Sequence, residues 1–259
     1  MSDPPGVRVR REPPPFRRVQ VVAVTDRTPR LRRITLGGPE LEGFGPFLPA
    51  ASARLLVPTR GPLELPAWDG NEFLLADGTR PAVRTVTPLA HRPDRHELDV
   101  EVVLHGEGPL STWAADADPG AEAALSGPGR GYEVDPDAQR LLLVGDESAL
   151  PAIATLLDAL GGRLPVDVLV EVARPDARLA LPGTPEVQWL DLAPDQAPGS
   201  ALLAAMSAAE LASGTHVWAA GEAAGVQRLR KHLFDERAWP RGAATVRGYW
   251  KVGRASGGT

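Results

Sequence analysis

Three short stretches of this chain pair a glycine with a helix start in a way that can hold a phosphate. The first is Gly145-Asp146-Glu147-Ser148, between four apolar residues (Leu141 to Val144) and the segment LPAIATLLDAL, whose apolar residues recur at helical spacing. Strand, glycine and helix start in succession place free backbone N–H groups and the positive end of a helix dipole beneath an anion. An ordinary strand–helix junction has the same appearance. Asp146 and Glu147 would repel a phosphate if they pointed at it, and they suit a helix start, so the backbone and Ser148 are expected to face a ligand. The second stretch is HGEGPLSTWA. There His105 closes a strand, Gly106 and Gly108 loosen the backbone, and Ser111 lies at a helix start, as a phosphate contact or as a simple cap. The third is Gly221-Glu222 in AAGEAAGVQRLR, again strand, glycine, helix.

The elements that must position these residues fall into two textures. From Phe16 to about residue 130 the chain shows short segments rich in β-branched residues, split by turn signals: RRVQVVAVTD, RLRRITLGG, ARLLVP (53–58), VRTVTPLA (83–90) and HELDVEVVLHG (96–106). Residues 63–81 read as a loop excursion, 108–117 as a short helix, and 119–128 as a turn with a last strand. Six or so strands with one late helix predict a small antiparallel β-barrel. After a Gly-, Pro- and Asp-rich stretch near 130–140 the order changes. Strands at 141–144, 166–172, 187–191, 216–219 and 244–250 alternate with helices at 147–160, 200–212 and 222–237, which predicts a parallel α/β sheet. The expected organisation is a disordered arm over 1–15, a barrel over 16–130 and an α/β domain over 138–254.

Bulk properties narrow the class. The 259 residues are 43% hydrophobic, carry a net charge of −5 and contain no cysteine. Disulfides, thiolate nucleophiles and thiolate metal sites are therefore excluded. The negative charge argues against a nucleic-acid partner. No apolar run approaches a membrane span, and the Pro- and Arg-rich N-terminus lacks the apolar core of a signal peptide, so a cytoplasmic enzyme is expected. No paired-carboxylate, Ser/His/Asp or metal-ligand motif is present.

The domain order is that of ferredoxin–NADP reductase relatives, and the local motifs are more specific. With ARLLVP, VRTVTP, LDVEVVLHGEGPLSTWA, LLLVGDESALPAIATLL, VWAAGEAAGVQRLRKHL and GYWKVG in this order, the chain resembles the siderophore-interacting protein family of flavin-dependent ferric-siderophore reductases. The resemblance implies an FAD-binding barrel and an NAD(P)-binding α/β domain. In the family an Arg-x-Tyr-Thr strand carries the flavin. Here it reads Arg84-Thr85-Val86-Thr87, with Arg84 on the pyrophosphate, Thr87 near the reactive edge of the ring, and Val86 in place of the stacking tyrosine. The family's GPxSxW segment on the pyrophosphate corresponds to Gly108, Pro109, Leu110, Ser111 and Trp113, with His105 nearby. Gly145, Asp146, Glu147, Ser148, Gly221 and Glu222 match the nicotinamide-nucleotide segments.

Arg174 and Arg178 follow the strand at 166–172, where a 2′-phosphate is usually read, which favours NADPH over NADH. A solvated surface pair is the alternative reading. Arg54, Arg130 and Lys251 are the implied cations around an anionic ferric siderophore or related metabolite, with Thr87 and Lys251 the catalytic candidates. The expected reaction passes electrons from NAD(P)H, or from a ferredoxin, through FAD to chelated Fe(III). Val86 supports a second expectation, a reused fold with flavin lost or structural, acting as a binding protein or a non-redox catalyst on a secondary metabolite.

Overall fold

In the computed structural model, which describes residues 12–106, 108–183 and 185–253, the chain forms two main sheets in succession. The first contains β1 (Arg17–Thr28), β2 (Leu31–Gly37), β3 (Ala53–Leu56), β6 (Val83–Val86), β7 (Pro88–Arg92), β8 (Glu97–Val103) and β9 (Glu122–Ser126). Between β3 and β6 the excursion carries a two-stranded hairpin, β4 (Ala67–Trp68) and β5 (Phe73–Leu74). All pairings in the large sheet are antiparallel, in the order β6-β3-β9-β1-β2-β8-β7.

The antiparallel barrel expected from sequence is found as a curled sheet, with seven strands where six were expected. The single strand expected over 83–90 is divided at Thr87. Residues before it pair with β3, whereas Pro88 lies opposite Val100 of β8. Pro88 has no N–H to continue a ladder, so it starts a strand more readily than it extends one. β6 and β7 are one residue apart in the chain and stand at opposite edges of the sheet. The curl brings β6 close to β8, and Thr87 crosses the seam.

The helix α1 (Pro109–Asp116) follows β8 and packs on the same sheet. Of the expected N-terminal arm, residues 1–11 lie outside the described residues. The Pro14 carbonyl accepts the Ser126 hydroxyl at 2.5 Å, and Phe16 is buried with Leu56, Leu63 and Ala124.

The second sheet is parallel, with β10 (Arg140–Asp146), β11 (Val166–Val172), β12 (Val187–Asp191), β13 (Thr215–Glu222) and β14 (Ala244–Trp250) in the order β12-β11-β10-β13-β14. Helices α2 (Leu150–Leu160), α3 (Ser200–Ala208) and α4 (Ala223–Lys231) cover it. Side-chain alternation explains the unbroken apolar run of β10. Leu141 and Leu143 share one core with α2, and Leu142 and Val144 share the opposite core with α3 and α4.

The two halves are joined by packing and by polar contacts. Leu31, Ala50 and Tyr132 belong to the α2 core. The Ala50 N–H donates to Thr155 Oγ1 at 2.9 Å, and Arg30 Nε donates to Glu147 Oε2 at 2.7 Å. Among the described residues no helix is long and apolar enough to cross a membrane.

Candidate functional site

The seam of the first sheet holds the Arg84-Thr85-Val86-Thr87 segment. Arg84 is half-buried, and its guanidinium donates only to the carbonyl of Val83 next to it, at 2.8 Å. Among the described residues no carboxylate pairs with it, and burial lowers its pKa. A guanidinium partly withdrawn from water without a counter-ion is poised for an anion. Thr85 points the other way, exposed and opposite Arg54 of β3. Val86 is buried in the core of the curled sheet, which also packs Leu110 and Trp113. Thr87 is buried where the chain crosses the seam, and it lies near the Tyr249 hydroxyl. Burial pushes the Tyr249 pKa up to about 12, so the hydroxyl stays protonated. Thr87 is therefore shared between the two halves of the molecule, through the last strand of the second.

The helix start beside this core is open. Gly108 precedes α1 with φ 80°, Pro109 begins the helix, and among the described residues no side chain accepts from its first-turn amides. Ser111 is not the cap: it lies inside α1, 3% exposed, and its oxygen accepts the N–H of exposed His105 at 3.0 Å. It thereby fixes the loop that enters the helix.

The parallel sheet is arranged differently, and sequence reasoning missed how. Three buried carboxylates at its C-terminal edge occupy the amides that a phosphate would need. Asp146 takes the Ser148 N–H at 2.9 Å and the Glu222 N–H at 2.8 Å. Glu171 takes the N–H groups of Gly199, Ala201 and Leu202 at 2.6, 3.0 and 3.3 Å. Glu222 takes the Gly225 N–H at 2.8 Å. The backbone N–H and hydroxyl of Ser148 are both donated to Asp146, so neither donor is free for a ligand, against expectation. Glu147 joins three segments by accepting from Arg30 and from the Ala173 N–H at 2.8 Å.

Gly145 serves close packing. A β-carbon there would run into Ala149 and come within 2.9 Å of the Ala220 carbonyl. At Gly221 it would meet Asp146 Oδ2 at 2.7 Å. Arg174 and Arg178, the expected 2′-phosphate readers, are paired with Asp176 and Asp191, each at under 3 Å (2.7 and 2.6 Å).

The cations expected around a substrate are exposed: Arg54, Arg130 and Lys251. Gly129 N–H donates to the Ser52 carbonyl at 2.6 Å, which ties the Arg130 loop beside β3. Arg247 Nη2 reaches the Gly131 carbonyl at 3.3 Å, which ties the same loop to β14 four residues before Lys251. Arg247, Tyr249 and Trp250 thus join the site. Their signal in the sequence was their place in the closing strand.

Comparison with known proteins gives this arrangement its family. A model of the siderophore-interacting FAD-binding domain matches residues 20–132, and one of the siderophore-interacting protein matches residues 138–253. The crystal structure of a siderophore utilization protein from T. fusca superposes with a TM-score of 0.81 at 33% identity, over 94% of this chain and 96% of that one. The NADPH-dependent ferric-chelate reductase of Escherichia coli is 31% identical over 91% of this chain and 92% of its own length. The ferric vibriobactin reductase of Vibrio cholerae is 29% identical over 86% of this chain and 85% of its own. With both halves matched in order, the chain belongs to the siderophore-interacting protein family.

Proposed function

We propose that this chain is a flavin-dependent reductase that takes electrons from a reduced nicotinamide nucleotide, NADPH by preference, and reduces the iron of an anionic ferric siderophore. The observation that carries the reading is Arg84, half-buried and without a counter-ion, at the seam of an FAD-binding sheet whose α1 leaves its first amides open. FAD, when bound, supplies acceptance of a hydride and delivery of single electrons to Fe(III), chemistry that no side chain provides. Iron enters and leaves as substrate, inside its chelate, and Fe(II) is released because the chelator holds it weakly. The cytoplasm is the location that suits this release.

The chain's own residues bind and orient. Arg84 offers its planar fork to the pyrophosphate, and the first turn of α1 adds backbone donors. The Thr87 hydroxyl, near a Tyr249 that stays neutral at ordinary pH, would lie toward the reactive edge of the bound ring. Val86 stands where an aromatic ring would stack, a loss of ~0.5–1.5 kcal/mol that weakens FAD binding about two- to tenfold. Arg130, Arg247 and Lys251, with Arg54 further out, draw the anionic chelate to the mouth.

The test is the visible spectrum of the purified protein with added FAD. Flavin bands should appear, bleach with NADPH under anaerobic conditions, and return when a ferric catecholate is added. A protein that takes up no FAD would sink the reading, and bound flavin that never bleaches would remove the nicotinamide donor.

A further inference from the structure

Asp146 holds more donors than a helix cap needs. It is 8% exposed, at the C-terminal end of β10, where the strand order reverses between β10 and β13. In open α/β sheets such a reversal is the usual place for a ligand. Here protein groups fill it. Oδ1 accepts the Ser148 N–H and, at 2.5 Å, the Ser148 hydroxyl. Oδ2 accepts the Glu222 N–H and, at 2.8 Å, the indole Nε1–H of Trp250, 104 residues along the chain. Three of the four partners are N–H donors and the fourth is the Ser148 hydroxyl, so protein groups take up the hydrogen-bonding positions of both oxygens.

The indole bond matters because of where Trp250 stands. It is half-buried at the last position of β14. Tyr249 before it packs against Trp218 in the sheet, and exposed Lys251 follows. The end of β14 is therefore tied to Asp146 by Trp250. A bulge there sets Glu222 opposite Trp250, with Gly221 opposite Gly248, so ladder pairing alone does not define the strand end.

We propose that Asp146 is a positioning residue for the substrate side of the site: it fixes Trp250, and through it Lys251, beside the flavin seam, and it does not hold the nicotinamide nucleotide. This rests on the reductase reading for its reaction, although the contact it names does not. Its motif then serves the closing strand, across the switch point, where the sequence suggests a phosphate cradle.

The test uses Asp146→Asn, Trp250→Phe, their combination, and Glu171→Gln as a control that removes a buried capping charge without touching β14. The first readout is the set of indole N–H signals in 15N-labelled protein, one for each of six tryptophans. The Trp250 signal is the one missing from W250F, and it should move in D146N but not in E171Q. The second is affinity for the ferric complex of 2,3-dihydroxybenzoate, read by quenching of intrinsic fluorescence in the flavin-free protein. It should weaken about tenfold in D146N and in W250F, with no further loss in the double variant. In FAD-loaded protein the chelate KM should rise while the NADPH KM stays put.

An unmoved Trp250 signal in D146N, or wild-type chelate affinity in both single variants, would overturn the proposal. So would a rise in the NADPH KM with the chelate KM unchanged. Should D146N fail to fold, W250F keeps the ring and still decides the chelate arm. Should the wild type bind no FAD, the reductase reading fails while the indole and chelate readouts still judge Asp146.

Discussion

Helix starts in the two halves of this molecule are treated in opposite ways. In the first half, α1 opens on Gly108-Pro109 with no side-chain acceptor among the described residues, and the arginine of the adjoining core has no carboxylate. In the second half, Asp146, Glu171 and Glu222 occupy the amides at the turn before α2 and at the starts of α3 and α4. Both halves show glycine next to a helix, which is the visible mark of a phosphate site. An anion binds where donors are left over; in the second half carboxylates take up the amides of Ser148, Gly199, Ala201, Leu202, Glu222 and Gly225. The parallel sheet spends its helix starts on its own stability and on anchoring β14.

The comparison breaks most visibly at Arg84. Arg84→Ala should lower FAD affinity about a hundredfold, or ~3 kcal/mol, since two charge-assisted hydrogen bonds to pyrophosphate go with it. Flavin titration followed by fluorescence measures this, and unchanged affinity would move the pyrophosphate elsewhere.

The tyrosines give the next effect. Both Tyr132 and Tyr249 are raised by burial, Tyr249 to about 12 from an ordinary 10. The folded state thus favours the protonated phenol. Its contribution is complete below pH 10 and is lost as pH rises through 12, up to ~2–3 kcal/mol. At pH 10 folded protein should show less tyrosinate absorbance near 295 nm than unfolded protein, in which both residues titrate. Full tyrosinate absorbance at pH 10 in the folded state would mean that the Tyr249 hydroxyl is open to water.

Glu171→Gln tests the filled half directly. One oxygen then faces donors as an N–H₂ group, and three α3 amides lose the charge that satisfied them. Stability to urea should fall by roughly 2 kcal/mol with FAD affinity unchanged. The smallest effect belongs to Ser148→Ala. Asp146 retains its other three donors, so the cost should be about 1 kcal/mol, with the NADPH KM unmoved. A large rise in that KM would restore Ser148 to a nucleotide site and erase the contrast between the halves.

By itself the sequence determined the family, the order of a β half and an α/β half, and most of the parallel sheet. The strands at 166–172, 187–191 and 244–250 have the bounds read from the sequence; for the first, whose last five residues are buried, a strand covered on both faces carries its signal within seven residues. Arg84 and Thr87 were legible for a related reason, since their motif is contiguous. Tertiary structure alone decided the seam at Thr87, since whether VRTVTPLA pairs with one neighbour or two depends on which strands the curl brings near. It alone decided the use of the acidic residues as well. Glu171 meets Gly199 across 28 positions, Asp146 meets Glu222 across 76 and Trp250 across 104. A carboxylate at a strand end reads the same whether its charge faces a ligand or is consumed by backbone donors. The choice is made by the distance between groups that only the folded chain brings together.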